Sequence, residues 1–290
     1  VSSAIKIYQG RFGRVALLDM DAPLVQHAHH HCHLLIKAAG PDTFFAVRDE
    51  LQPLTADTAV LVNPWESHAY VHNSQAEQHT IILAMYIEPD WLAQVQHPLG
   101  HAGRPEFFPQ PCVPMSASAR KLSEELGLEM WWSDSIAAGR LEGLLCDLMI
   151  AVIDPGKSWR ELSRQMEVAS RRPSDPRIRK AISWLRENTG ADPDMNGLAE
   201  HCGLSRAHFF ALFHRCTGVT PNVYLNVLRM EAAIKDLSST SNSMTDISYD
   251  LGFSAPGHFT RFFRQHLGIT PSEYRKVVDI YDPNLDQVEI

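Results

Sequence analysis

Five histidines fall within seven residues of this 290-residue chain, in the run His27-Ala28-His29-His30-His31-Cys32-His33. A neutral imidazole is a ligand for zinc and other divalent transition metals, and three or four converging rings suffice for a site. Side chains two apart share a strand face. If the run belongs to one strand, His27, His29 and His33 share a face, while His30 and His31 are expected to face outward. Two other uses compete with a metal: the rings line a sugar or acid pocket, or they fill a polar barrel mouth. Arg48, Trp65 and Tyr70 are further pocket candidates. Arg48 is suited to a bidentate grip on a carboxylate or phosphate, and Trp65 to stacking on a ring or sugar face. A solvated Arg48 and a core Trp65 are the alternative. No paired carboxylates or nucleophile-base spacing accompany these residues.

The elements that must carry the histidines are strands. Short apolar or alternating runs occur at Arg14–Leu18, His33–Ala38, Thr43–Val47, Ala59–Val62, Ala69–His72 and Thr80–Tyr86. Gly40-Pro41-Asp42, Thr55-Ala56-Asp57 and Asn63-Pro64 punctuate them. Even spacing of short strands predicts a β-barrel or jelly roll. Residues 116–153 turn helical, with Ala119, Leu122, Leu126 and Leu128 in one segment and Leu141, Leu145, Leu148 and Val152 in the next. The 4-3-4 spacing of the second is that of a coiled-coil seam, and equally of a helix packed back on the barrel.

The second half contains one unit twice. Leu198-Ala199-Glu200-His201-Cys202-Gly203-Leu204-Ser205 is followed by Phe209, Phe213, Gly218, Thr220-Pro221 and Tyr224. Ile247-Ser248-Tyr249-Asp250-Leu251-Gly252-Phe253-Ser254 is followed by Phe259, Phe263, Gly268, Thr270-Pro271 and Tyr274, with one extra residue in the second turn. Each copy reads as helix, tight turn, helix. Gly203 and Gly252 supply positive φ in the turns, Ser205 and Ser254 are suited to cap the second helices, and Thr-Pro opens the next helix. Such a pair of helices places its second member in the DNA major groove. The net charge of −8 is unevenly spread: roughly 12 basic and 10 acidic residues lie between Pro173 and Val278, leaving the rest near −10. The slight basic excess implies few phosphate contacts.

The residues Gly252-Phe253-Ser254, Phe259, Phe263-Arg264, Gly268, Thr270-Pro271 and Tyr274-Arg275 resemble the signature of AraC/XylS-type transcription regulators. The first copy matches too, with Tyr224, Leu228-Arg229 and Ala233 in the linking helix. The resemblance is dense over about a hundred residues. In front of it, the histidine run with Gly40 resembles the first cupin motif, with His33 at its Glu position. Asp57 through Pro64-Trp65-Glu66-Ser67-His68 resembles the second, with Ala56 where Gly is usual. This brings His68 to His27, His29 and His33 as a candidate ligand or metal site. The resemblance implies an α+β multidomain chain: a cupin-like sensing β-barrel over residues 1–112, a helical dimerisation segment over 113–169, a linker over 170–176, an all-α double helix-turn-helix domain over 177–278, and a loose acidic tail over 279–290.

The first turns of the two recognition helices should meet base edges. In the first copy these residues are Arg206, Ala207, Phe210 and Ala211; in the second they are Pro256, Gly257, His258, Thr260 and Arg261. Arginine reads guanine through O6 and N7, so Arg261 ranks first and Arg206 second. Arg215 and Arg264 are placed to reach phosphates. The leading reading is a regulator controlled by a small molecule in the barrel, with double-stranded DNA, a homodimer partner and RNA polymerase as partners. The competing readings are a metal-dependent cupin enzyme fused to a DNA module, and a constitutive DNA binder whose barrel only dimerises. Five scattered cysteines, no apolar run of membrane length and no opening signal peptide fit a reduced, cytoplasmic setting.

Overall fold

The computed structural model of the chain describes residues 2–72, 79–95, 107–153, 174–190 and 193–281. Its first half is built from β1 (Ser3–Gly10), β2 (Gly13–Met20), β3 (Cys32–Ala39), β4 (Thr43–Val47), β5 (Glu50–Leu54), β6 (Thr58–Val62), β7 (His68–Val71), β8 (Thr80–Ile87), α1 (Pro89–Val95) and β9 (Cys112–Pro114). With β10 (Val278–Ile280) from the end of the chain, a seven-stranded sheet runs in the order β10-β1-β2-β8-β3-β6-β9, and a three-stranded sheet in the order β5-β4-β7. The inner layer joins Ala16, Leu18, Leu35, Val60, Ile82 and Ala84 of the large sheet to Phe45, Val47 and Tyr70 of the small one.

The outer face of the large sheet is also buried. Val15, Leu17, Leu34, Ile36, Leu83 and Met85 lie under α2 (Ala117–Trp132) and α3 (Ala138–Ile153). Burial on both faces explains why β8 reads as the unbroken apolar run Thr80–Ile87. All six expected strands are present. The sequence pattern missed β1, and it missed β5, an edge strand with Pro53 and exposed Glu50 and Leu51.

The apolar stripe of α3 (Leu141, Leu144, Leu145, Leu148, Met149 and Val152) is spent on the barrel, so the heptad-like spacing is explained within one chain. On α2, by contrast, Leu128, Trp131 and Trp132 are exposed. Residues 154–169 of the expected helical segment and 170–173 of the expected linker lie outside the described residues.

The second half comprises α4 (Pro176–Glu187), α5 (Met195–His201), α6 (Arg206–Thr217), α7 (Pro221–Ser239), α8 (Met244–Asp250), α9 (Pro256–Leu267) and α10 (Pro271–Val277). Thr220 and Thr270 cap α7 and α10, each with proline at the first helical position. Gly252, with φ of +77°, sits against the backbone of Gly190, where a Cβ would fall 2.3 Å from the Gly190 carbonyl oxygen. No side chain fits there, and the approach ties the loop after α4 to the second turn.

The tail departs from expectation. Val278–Ile280 forms β10, which pairs in parallel with β1, Ile7 opposite Val278. The Tyr281 ring packs edge-on against Tyr8, centroids 5.0 Å apart. Segment 278–281 is therefore held by strand pairing and ring contact rather than loose; 282–290 lie outside the described residues. The cores also divide unevenly. Phe259, Phe263, Ile247 and Tyr274 form one cluster with the barrel's inner layer, whereas Phe209, Phe213 and Leu198 form a separate cluster that takes in Ala28 and Trp65 from the barrel.

Candidate functional site

The two recognition helices, α6 and α9, turn their first residues outward. Arg206, Ala207, Ala211, Gly257, His258 and Arg261 are exposed, and so are Arg215 and Arg264 farther along; Phe210, Pro256 and Thr260 are half-buried. Phe209, Leu212 and Phe213 of α6, and Phe259 and Phe263 of α9, face inward and fix the helices' rotation. Arg206 is engaged: its Nη1 donates to Asn196 Oδ1 at 2.8 Å and its guanidinium lies 4.9 Å over the Phe210 ring. Arg261 makes no hydrogen bond or ion pair to another described residue and is free to meet a base edge. Thr260 bonds the Pro256 carbonyl of its own helix. Arg229 serves inside the domain, donating to the Thr189 carbonyl and lying over Phe253.

The caps differ between copies. Ser205 accepts from His208 N and caps α6. Ser254 does not cap α9. The extra residue in the second turn makes Ala255 the N-cap, whose methyl group accepts no hydrogen bond. Ser254 Oγ instead lies 2.9 Å from His258 Nδ1, which orients a candidate base reader.

Strand β3 begins only at Cys32, so His27 to His31 approach the barrel as a loop and strand alternation does not govern them. His27 forms an isolated antiparallel bridge with His68. His29 Nε2 lies 3.0 Å from His33 Nδ1, which lies 3.3 Å from His68 Nε2. Ligand nitrogens around a tetrahedral zinc, each about 2.0–2.1 Å from the ion, stand roughly 3.3 Å apart. His68 Nδ1 donates to the Glu66 carbonyl, leaving Nε2 with a bare lone pair. Burial, with the neighbouring rings adding to it, holds His27, His29 and His33 well below the usual imidazole range; burial lowers His68 to about 4. All four are neutral near pH 7, the state a metal requires. Tyr86, which the sequence reading did not single out, stacks on His33 at 4.1 Å.

The other pocket candidates do not join this centre. Arg48 and Asp49 have positive φ in the β4–β5 turn, and Arg48 pairs with Glu66 at the surface. Trp65, at a φ of +63°, stacks its ring on Tyr224 of α7, 4.6 Å away and 5° from parallel. Tyr70 is buried in the barrel against Phe45. His31, expected outward, is 4% exposed, and His30 is half-buried; both reach Glu88 and Glu231. Burial works against a charged His30, but the Glu88 hydrogen bond and the Glu231 charge raise it above the usual range. Arg14 is buried with its guanidinium 4.1 Å over Tyr86. No periodicity marks Arg14, Glu88 or Glu231, because their partners are distant in sequence; the repeat marks Tyr224, but not as the partner of Trp65.

A family model described as an AraC-like ligand binding domain matches residues 22–147, and one described as a helix-turn-helix domain matches residues 198–277. Together they take in well over half of the chain, in the order in which the two folded halves occur. The chain belongs to the AraC family. The HTH-type transcriptional activator RhaS of Citrobacter koseri is 25% identical over 256 residues, 86% of each chain. The raffinose operon transcriptional regulatory protein RafR of Pediococcus pentosaceus is 32% identical over 100 residues, 34% of this chain and 36% of its own. The chain thus spans about a third of the length of several curated relatives it matches. Apo ToxT from Vibrio cholerae, in a single-residue variant, shares the fold with a TM-score of 0.56 at 11% identity, over 91% of this chain and 97% of that one. Wild-type ToxT bound to an unsaturated fatty acid gives 0.53 at 12%, over 96% and 95%.

Space is distributed unevenly in this AraC-type chain. The hollow between the sheets, bounded by His27, His33, His68, Leu35 and Tyr86, holds about 10 Å³, the room of one water or ion. An open groove of about 660 Å³ lies outside, between the large sheet and α2, over Leu17, Ile36, Leu83 and Met115 with Lys37 and Arg120 beside them. Among the described residues no helix is long and apolar enough to cross a membrane.

Proposed function

We propose that the chain is a sequence-specific DNA-binding transcription regulator whose barrel senses a ligand and passes its state to the recognition helices. One observation carries this reading. Helix α9 bears exposed Arg261 midway along it, while His266, near its end, lies 5.9 Å ring to ring from His27 of the histidine centre. The same rigid helix thus connects a base-reading side chain to the candidate sensor. Family membership sets aside the competing reading of a metal-dependent enzyme.

His29, His33 and His68, with His27 beside them, are the proposed sensing centre, and a divalent transition metal matches both their spacing and the small hollow. The outer groove favours a second reading, in which an organic effector of ordinary ligand size binds between the sheet and α2. Either effector acts only through different affinities for DNA-competent and incompetent states. The proposal extends to a cytoplasmic homodimer joined through the helical segment, where Leu128, Trp131 and Trp132 are exposed, and to activation through RNA polymerase.

The test is selection of DNA by the full chain from a random library, with chelator and with added zinc. Enrichment of a sequence with two contact regions about one helical turn apart, with zinc-dependent affinity, is the expected result. Absence of any enriched sequence in both conditions would overturn the DNA reading. Enrichment that ignores zinc would move the sensing site to the outer groove.

A further inference from the structure

A second cluster lies outside the three-histidine centre, where barrel and DNA module touch. The His30 and His31 rings stand side by side, centroids 4.0 Å apart and 32° from parallel. Both Nε2 atoms lie on one oxygen of Glu88, at 3.1 and 3.2 Å. A carboxylate accepts, so each ring donates from Nε2, and in the neutral ring this leaves Nδ1 bare for a metal. Both Nδ1 atoms face one oxygen of Glu231, on the linking helix α7, each at 3.9 Å.

That spacing is too long for a hydrogen bond, and shorter than the roughly 4.5 Å left by a water making two bonds of about 2.8 Å. It suits an ion. Two edges of the ligand triangle are 3.9 Å and the third is within 4.8 Å, which leaves a central ion roughly 2.2–2.5 Å from each atom, close to the ~2.0–2.2 Å of zinc to imidazole nitrogen or carboxylate oxygen. His31 gives an independent sign. It is buried, and among the described residues its Nδ1 has no hydrogen-bond partner although it is aimed into the gap. A buried orphan nitrogen is costly unless something occupies the space it faces.

We propose that His30 Nδ1, His31 Nδ1 and Glu231 form a divalent metal site of the zinc class, with Glu88 as the outer carboxylate that fixes both tautomers. Two carboxylates against the nearby Arg14 cation leave a net negative charge to receive a dication. Two ligands come from the loop before β3 and the third from the helix that links the two helix-turn-helix units. The ion therefore clamps the barrel to the DNA module and stabilises the docked arrangement by mass action. This site is separate from the His29–His33–His68 centre and stands whether or not that centre holds a metal.

The test uses the full chain, stripped with chelator and titrated with zinc, with stoichiometry read by native mass spectrometry and affinity by calorimetry. His33→Ala removes the barrel centre, and Glu231→Gln keeps the size of the side chain while weakening the interdomain ligand. We expect zinc to bind His33→Ala at the interdomain site and to slow amide exchange in α7 and residues 27–31. In the double variant that binding should be lost. Glu88→Gln in the His33→Ala background should weaken binding about 10- to 100-fold. Each of these variants leaves the large apolar cores intact, and its circular dichroism before zinc is added checks folding. Absence of zinc binding by His33→Ala, or equal affinity and exchange protection with and without Glu231→Gln, would overturn the proposal.

Discussion

The two helix-turn-helix copies share a sequence pattern and differ in what surrounds them. In the first, Ser205 caps the recognition helix, Arg206 is tied to Asn196 and Phe210, and the core is its own apart from Ala28 and the Trp65 stack. In the second, the cap is missing, Arg261 is free, and Phe259, Phe263 and Tyr274 share one core with the barrel. The second copy also gives the barrel a strand, β10, and a hydrogen bond from Tyr274 to Gln9 at 2.8 Å. Repeated sequence thus yields one unit that folds largely on itself and one whose packing depends on the sensor. On the proposed function, the second is the copy through which barrel state reaches DNA.

The largest effect should come from the cores. Phe209→Ala and Phe263→Ala each remove a fully buried ring and should cost about 3–5 kcal/mol. The comparison predicts different extents of damage: hydrogen exchange should rise in 195–230 alone for Phe209→Ala, but in the barrel strands as well for Phe263→Ala. Confined damage in both would break the distinction.

Acid comes next. In metal-free protein the buried histidines have folded pKa values below their unfolded value of about 6.5, so their stabilisation is full above that pH and is lost as pH falls. For His68, lowered to about 4, the loss falls between pH 6.5 and 4 and amounts to about 3 kcal/mol. Thermal melts across that window should show the barrel and second copy weakening together, with first-copy exchange least changed. A melting temperature independent of pH there would contradict the burial argument.

Trp65→Ala removes the ring stack on Tyr224 and should cost about 0.5–1.5 kcal/mol beyond lost area. It should loosen the first copy from the barrel, seen as faster exchange in α7's first turns, with little change in α9. Smallest are the caps: Ser205→Ala should destabilise by about 1 kcal/mol, while Ala255→Ser should stabilise by about 0.5–1 kcal/mol by supplying the missing acceptor. Equal and opposite shifts in urea midpoint would sharpen the comparison; no gain from Ala255→Ser would mean that the extended residue cannot aim its hydroxyl.

Much of this was legible in the sequence because it is local. The doubled turn, its glycines and the Thr-Pro caps are fixed by neighbours in the chain, and strands such as Thr80–Ile87 announce themselves by apolar content. What stayed hidden depends on distant partners. Trp65 reads as either a pocket or a core residue because nothing nearby reveals Tyr224. The expectation that His31 faces outward goes against strict alternation, which sets it with His29 and His33, and its partner Glu231 lies two hundred residues on. Ser254 was misread as a cap because one inserted residue shifts the helix start. The tail looked loose because β10 is three residues long and exists only by pairing with β1.

The central claim is that the second copy supplies the principal base contact through Arg261. Its most direct measurement is the affinity of wild type, Arg261→Ala and Arg206→Ala for the selected DNA site, for every single-base variant of it, and for scrambled DNA, at one salt concentration. The account predicts that Arg261→Ala loses about 1–3 kcal/mol on the selected site, relaxes one base position and leaves scrambled DNA nearly unchanged, with a smaller loss for Arg206→Ala. Equal loss on all sequences would make Arg261 a phosphate contact, and a larger loss for Arg206→Ala would assign the reading to the first copy; either result contradicts the claim.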